Sequence, residues 1–397
     1  MLLHRIKQLA KDFHRDTISC RRYLHQHPEL SFQEKKTGKY IASQLKKIGV
    51  PYKHGIAENG VVAIIKGKQK NSKILALRAD IDALPIQETN EVAYRSKNKG
   101  IMHACGHDVH TASLLTTARI LWQLRSEFGG TVKLIFQPGE EKLPGGASIM
   151  IREGVLRNPA PQKIFGQHVH PPLAAGKVGF CPGMYMASAD ELFLKVKGKG
   201  GHGALPQNCV DTILITAHLI TALQQLVSRM ANPTTPTVLT FGKINSDGGA
   251  TNIIPTEVNL EGTFRTMDEK WRKQAHQKMK KLVQNLAKSM NGKAELEIKI
   301  GYPFLKNNVP LTLNAKQCAI EYLGAKNVVD LPIRMTSEDF AWYSQQIPAC
   351  FYRLGTGNTK RGITSPVHTS TFDVDEDSLK VGSGLMAWLA IKELAHQ

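Results

Sequence analysis

His103, Cys105, His107, Asp108 and His110 fall within a stretch of eight residues. Imidazole, thiolate and carboxylate are the side chains that hold zinc and other transition metals. Three further clusters repeat the theme: Asp80-Ile81-Asp82, Gln137-Pro138-Gly139-Glu140-Glu141 and His168-Val169-His170. Taken singly, each has an ordinary reading as a hydrogen-bonded core histidine, a solvated acidic pair or a buried thiol. Taken together they form the inventory of a metal site. A divalent metal lowers the pKa of a bound water from 15.7 towards ~7, which makes a nucleophile at neutral pH. Such a water needs a general base beside it. Adjacent Glu140 and Glu141 permit a division of labour, one ligating and the other taking the proton. Two ions need five or more protein ligands, and these clusters supply them. The implied chemistry is hydrolysis.

The elements around these clusters explain how they meet. Val61–Lys66, Ile74–Ala79, Val132–Phe136 and Lys163–Gln167 are short apolar runs of the buried-strand type. Residues 36–48 and 109–126 read as helices, the second with Asp108 as N-cap. Strands alternating with helices predict a mostly parallel α/β/α sandwich. In such sheets ligands bind beyond the carboxyl ends of the strands. Each cluster follows a strand or precedes the 109–126 helix, so all four fall at one sheet edge.

Residues 186–298 have a different grammar. Glu191–Val196, Thr237–Ile244, Glu257–Arg265 and Lys293–Ile300 read as strands, and 211–230 and 269–290 as helices, with a turn at Ser246-Asp247-Gly248-Gly249. Trp271, Ala275, Met279, Leu282 and Leu286 mark one face of the last helix. The order β-α-β-β-α-β is the ferredoxin-like unit. The α/β grammar then resumes, with a helix near Ser337-Glu338-Asp339, a strand at Cys350–Leu354 and an amphipathic helix over 375–395. The expected organisation is a catalytic α/β domain in two parts, 1–185 and 299–397, with a domain of 186–298 inserted between them.

Composition narrows the class. The chain has 397 residues, 42% apolar and 21% charged, which excludes collagen-like, disordered and coiled-coil classes. No run approaches the ~18 apolar residues of a membrane span, and the polar start of the chain lacks a secretory core. The expectation is a cytoplasmic protein without membrane partners. Six scattered cysteines are too sparse for a disulfide framework. The formal charge is +19, but basic residues are dispersed in pairs such as Lys35-Lys36 and Lys46-Lys47. That pattern fits solvated helix faces and gives no reason to expect nucleic acid.

Several motifs carry a resemblance. Met102-His-Ala-Cys-Gly-His-Asp-Val-His110, Arg78-Ala-Asp-Ile-Asp-Ala-Leu-Pro85 and Phe136-Gln-Pro-Gly-Glu-Glu141 resemble the aminoacylase and amidohydrolase branch of the co-catalytic metallopeptidases. His25-Gln-His-Pro-Glu-Leu-Ser-Phe32, Ala187-Ser-Ala-Asp-Glu191, Gly200-Gly-His-Gly-Ala-Leu-Pro206, Thr251-Asn-Ile-Ile-Pro255 and Gly262-Thr-Phe-Arg-Thr266 extend it over nearly the whole chain. That branch includes hippurate hydrolases, indole-acetyl-amino-acid hydrolases, N-acetyl-diaminopimelate deacetylases and related carboxypeptidases. The resemblance implies two divalent ions per subunit held by Cys105, His107, Glu141, His168 and His368, with the Cys105 thiolate as bridge. It implies Glu140 as general base and Asp82 as the acid behind the ligands. It also implies His202 as oxyanion stabiliser and Asn252 and Arg265 as grips for the substrate's carboxylate. The inserted domain would then serve as lid and homodimer interface. Zinc suits the thiolate, and manganese, cobalt or nickel suit a mixed site. One departure stands out. Relatives place a proline after the last ligand, whereas Val367-His-Thr-Ser-Thr-Phe372 has none. His103, His110 and His170 are expected to be supporting residues.

The leading expectation is cleavage of N-acyl amino acids. A dipeptidase or carboxypeptidase using the same site is the enzymatic alternative. A basic binding protein on an inactive hydrolase scaffold predicts a missing ligand or base, and none is missing.

Overall fold

The computed structural model describes residues 1–395. The chain forms two compact units. The first comprises Met1–Gly183, Lys306–Pro332 and the chain from Asp339 onward; the second comprises Met184–Leu305 and Ile333–Glu338. The second unit thus runs past residue 298 and takes in a short return of the chain.

The first unit is built on an eight-stranded sheet. Its four central strands, Gly129–Gln137, Gln69–Asp80, Lys163–Ala174 and Ala349–Gly357, run parallel in that spatial order. The edges depart from a purely parallel sheet. Tyr52–Ile56 and Gly60–Lys66 form an antiparallel pair against Gly129–Gln137. The connection between them is too short for a crossover, and Ala57 and Glu58 take positive φ to reverse the chain. On the other side Val178–Phe180 lies antiparallel to Ala349–Gly357, and Val328–Asp330 lies parallel beyond it.

Strand alternation divides the sheet's two faces. Val61, Ala63 and Ile65, with Val132, Leu134 and Phe136, enter one large apolar core. Into the same core pack Ile6, Ile41, Leu45, Leu114, Leu121, Leu385 and Leu389 from helices Leu2–Asp12, Lys35–Ile48, His107–Gln123 and Ser378–Ala395. The last helix is buried on nearly every side, so it has no polar stripe and is not amphipathic.

Two local expectations are corrected by buried charge. Asp108 does not cap the 107–123 helix: Gly106 occupies that place with φ 78°. Asp108 instead turns inward and accepts from Arg21 Nε at 2.8 Å, with His25 Nδ1 also at 2.8 Å. Breaking such a buried pair costs about 3–5 kcal/mol, which outweighs the ~1 kcal/mol of a cap. Near residue 337 only Ala341–Ser344 is helical. Asp339 is spent on Arg78, Gln137 and the Ala147 N–H rather than on starting a helix.

The second unit has a four-stranded antiparallel sheet in the order Thr237–Ser246, Glu257–Thr266, Asp190–Lys197, Lys293–Ile300. With helices Thr212–Leu223 and Glu269–Ser289 it is ferredoxin-like. Asp211 caps the first helix through the N–H groups of Ile213 and Leu214. That helix ends sooner than expected and passes into a π-type turn at Leu226–Met230. Trp271, Ala275, Met279, Val283 and Ala287 face the core at four-residue steps, while Leu282 and Leu286 sit at its margin. No helix among the described residues is long and apolar enough to cross a membrane.

Candidate metal centre

The carboxyl ends of adjacent parallel strands bring the donors together. Gln69–Asp80 leads into Asp82, and Gly129–Gln137 leads into Glu140 and Glu141. Cys105 precedes the helix whose first residue is His107. His168 differs from expectation in its element. The strand continues to Ala174, so His168 projects from within it and not from a loop beyond its end. His368 comes from the segment before the last helix.

The donor atoms form two groups around one sulfur. Cys105, His107 and His168 offer ligand atoms within 4.8 Å of one another, and so do Cys105, Glu141 and His368. Cys105 Sγ lies 3.4 Å from His168 Nε2 and 3.3 Å from His368 Nε2. Glu141 Oε1 is 3.3 Å from His368 Nε2 and 3.9 Å from His107 Nε2. His107, Glu140 and Glu141 make a further group. The proline-free loop keeps His368 in this company. Its N–H donates to Ala104 O at 2.7 Å, and its φ of 64° is one that residues other than glycine seldom adopt.

A second layer aims these atoms. Asp82 Oδ1 sits 3.0 Å from His107 Nδ1, and Asp82 Oδ2 accepts from Ser31 Oγ and from the Glu141 N–H at 2.7 and 2.9 Å. One carboxylate thus fixes both the His107 ring and the backbone of Glu141. His168 Nδ1–H donates to Val169 O at 2.8 Å, which turns its Nε2 lone pair towards Cys105. A metal-bound histidine needs this kind of partner on its other nitrogen. If Asp82 is replaced by Asn, metal affinity should fall about 10- to 100-fold, read by competition with a chromogenic chelator.

Glu34, Arg78 and Asp339 belong to this framework and were not singled out in the sequence. Glu34 Oε1 accepts the Gly139 N–H at 2.7 Å and so holds the turn that carries Glu140. Burial and the Asp82 charge push its pKa up to about 7. Gly139 has φ 64°, and a Cβ there would meet the Phe32 ring at 2.4 Å. Buried Arg78 donates to Gln137 and Asp339 and pairs with Asp80. The only local signal for these residues was their place within or beside the quoted motifs.

The remaining histidines differ among themselves. His110 is satisfied on both nitrogens, by Asp80 and by the Val169 N–H. His103 is buried without a hydrogen-bond partner, and burial pushes its pKa down to about 4, leaving it neutral. His170 belongs to none of the donor groups. In the second unit, His202 and Ile253 face each other across a short antiparallel ladder, and the Asn252 carbonyl accepts the Gly203 N–H at 2.7 Å. His202 Nδ1 accepts the Ala204 N–H at 3.1 Å, which makes Nε2 the donating nitrogen of the ring. Arg265 is half-buried and donates to Met335 O and Ser337 Oγ, both at 3.3 Å. No carboxylate pairs with it among the described residues.

The electrostatics of the first unit call for a cation. Burial, with Glu141 and Glu140 nearby, holds the Cys105 thiol well above its ordinary value. Burial opposes protonation of His107, yet Asp80, Asp82 and Glu141 together push it up to about 10. His107 Nε2 and Glu141 Oε1 are buried without hydrogen-bond partners. An unpartnered His107 Nε2 and an unpartnered Glu141 oxygen near a thiol in an acid-rich pocket fit a divalent ion, which would replace the proton on His107 and stabilise the thiolate.

Residues 76–392 match the model of peptidase family M20/M25/M40. The chain belongs to that family. As an M20 protein it is a metal-dependent hydrolase of amide C–N bonds. It is 38% identical over 388 residues to an N-acetylcysteine deacetylase of Bacillus subtilis, covering 96% of this chain and 97% of the relative. It is 36% identical over 397 residues to thermostable carboxypeptidase 2 of Saccharolobus solfataricus, covering 98% of each. Among solved structures, a dinuclear metal binding M20 peptidase of Bacillus subtilis superposes with a TM-score of 0.83 at 36% identity, covering 97% of this chain and 99% of the other. In this chain, two donor groups sharing Cys105 leave room for more than one ion.

Proposed function

We propose that this M20 protein is a binuclear amidohydrolase that cleaves N-acyl amino acids into a carboxylate and a free amino acid. The observation that carries the reading is the pair of donor groups around Cys105, with Glu140 beside them. Cys105, His107, Glu141, His168 and His368 would hold two divalent ions, with Cys105 shared. We assign zinc because thiolate and imidazole favour it, manganese, cobalt and nickel being the alternatives. When bound, the ions supply Lewis acidity and a water that ionises near neutral pH.

The chain's own groups do the rest. Glu140, only 6% exposed, takes the proton of the attacking water and passes it to the leaving amine. Asp82 keeps His107 and Glu141 in place. His202 Nε2–H is the donor for the developing oxyanion. Arg265, a half-buried guanidinium without a counter-ion among the described residues, pairs with the substrate's carboxylate, and Asn252 assists. Replacing Arg265 by Met should raise KM for N-acetyl amino acids by about 10- to 100-fold, the worth of a charge-assisted hydrogen bond of 1.5–3 kcal/mol. The effect should vanish with substrates whose carboxylate is amidated.

The second unit presents an unpaired edge strand, Thr237–Ser246, and exposed Ile213, Leu214 and Ile244. These features support a homodimer through that unit, and a sedimenting mass of one chain would remove the idea. Six cysteines that form no disulfide among the described residues suit a reducing compartment and support a cytoplasmic location, which cell fractionation tests.

The deciding experiment is turnover of matched N-acetyl amino acids and dipeptides by the metal-loaded enzyme. Preference for the acylated substrates is expected. Cleavage of peptides alone would replace this reading by a carboxypeptidase or dipeptidase.

A further inference from the structure

A second pocket lies on the opposite side of the sheet from the large core. Lys133 sits mid-strand, and its neighbours Val132 and Leu134 enter that core, so Lys133 points the other way. It is 2% exposed. Its Nζ donates to Val155 O and Arg157 O, each at 2.8 Å, which leaves one N–H unused. No carboxylate neutralises it among the described residues. Burial pushes its pKa down to about 8, so an anion beside it would favour the charged form.

Lys133 is one of the residues lining a cavity of about 610 Å³, within the usual size of small-molecule sites. Val62 and Ile64 line it with apolar surface, and Ile64 is the cross-strand partner of Lys133. Lys53, Arg152 and Arg157 line its mouth, and none of them pairs with a carboxylate among the described residues. The one acid in the lining, Glu153, accepts the Ala57 N–H at 2.8 Å. None of the metal donors lines this cavity. Lys133 and Gln137 are four residues apart, about 13 Å at 3.3 Å per strand residue.

We infer that this cleft binds a small organic anion with an apolar body, a monocarboxylate of the acyl or aryl type. The carboxylate is recognised by Lys133, Arg152 and Arg157, and the body lies on Val62 and Ile64. The proposal does not depend on the reading of the metal centre.

The test is hydrogen-exchange mass spectrometry on the metal-loaded protein with octanoate as probe and inorganic phosphate as the control anion. Octanoate should slow exchange saturably in the segments 52–56 and 152–158. Phosphate, which lacks an apolar body, should not. The double variant R152Q/R157Q changes exposed side chains only. It should bind octanoate at least about tenfold more weakly, as expected for losing charge-assisted contacts, with turnover at the metal centre unchanged. Absence of protection in those segments, equal protection by phosphate, or unaltered affinity of the variant would each overturn the proposal.

Discussion

Replacing Glu140 by Gln is expected to lower kcat by about 100- to 10,000-fold, the usual worth of a positioned general base, while metal content stays at the wild-type level. The side chain keeps its shape, so the backbone turn held by Glu34 through Gly139 has no reason to move. What is lost is the ability to accept a proton. Glu141→Gln should behave differently. Its Oε1 faces His107, His368 and Cys105, so the amide should lose metal first and activity as a consequence. Steady-state kinetics alongside metal analysis separates the two. If Glu140→Gln lost metal and Glu141→Gln kept it, the two glutamates would have exchanged roles. Unchanged kcat in Glu140→Gln would remove the base altogether.

Cys105→Ala is the second substitution with a large expected effect. The sulfur belongs to both donor groups, so its removal weakens two sites at once. Metal content should drop from two ions per chain to one or fewer. Turnover should fall by about 100-fold or more, at least the loss typical of perturbing a ligand's support. The fold should survive, because the helix at His107 is anchored independently by Asp108 on Arg21 and His25. Two tightly held ions in Cys105→Ala would show that the thiolate is not the shared ligand.

Much of the positioning was legible because buried parallel strands are written as contiguous apolar runs. Ile74–Ala79 and Val132–Phe136 can be read directly, and the clusters that follow them then fall on one edge. The ferredoxin-like order of the second unit was legible from a different pattern, the alternation of buried and exposed residues in antiparallel strands such as Glu257–Thr266. The helix that opens the chain was not. Leu2–Asp12 buries Ile6 and Ala10 and packs Leu2, Leu3 and Leu9 at the core's margin, but its charged residues make the start of the chain read as polar. Long-range pairings were also hidden. Arg78 and Asp339 meet from positions 261 residues apart, and nothing local announces that Asp339 is needed there. Asp108 looked like a helix cap because caps are a local rule, and a buried arginine from another helix overrode it. His168 was placed beyond its strand because the strand extends further than its apolar run.

The most direct test of the account is a single titration. The purified protein is stripped by chelation, and zinc is returned stepwise while turnover of an N-acetyl amino acid and bound metal are followed together. The account predicts no turnover in the stripped protein, saturation at two ions per chain, and activity restored as the pair fills. Full turnover after complete removal of metal, or saturation with two ions and no cleavage of any acyl amino acid, would contradict it.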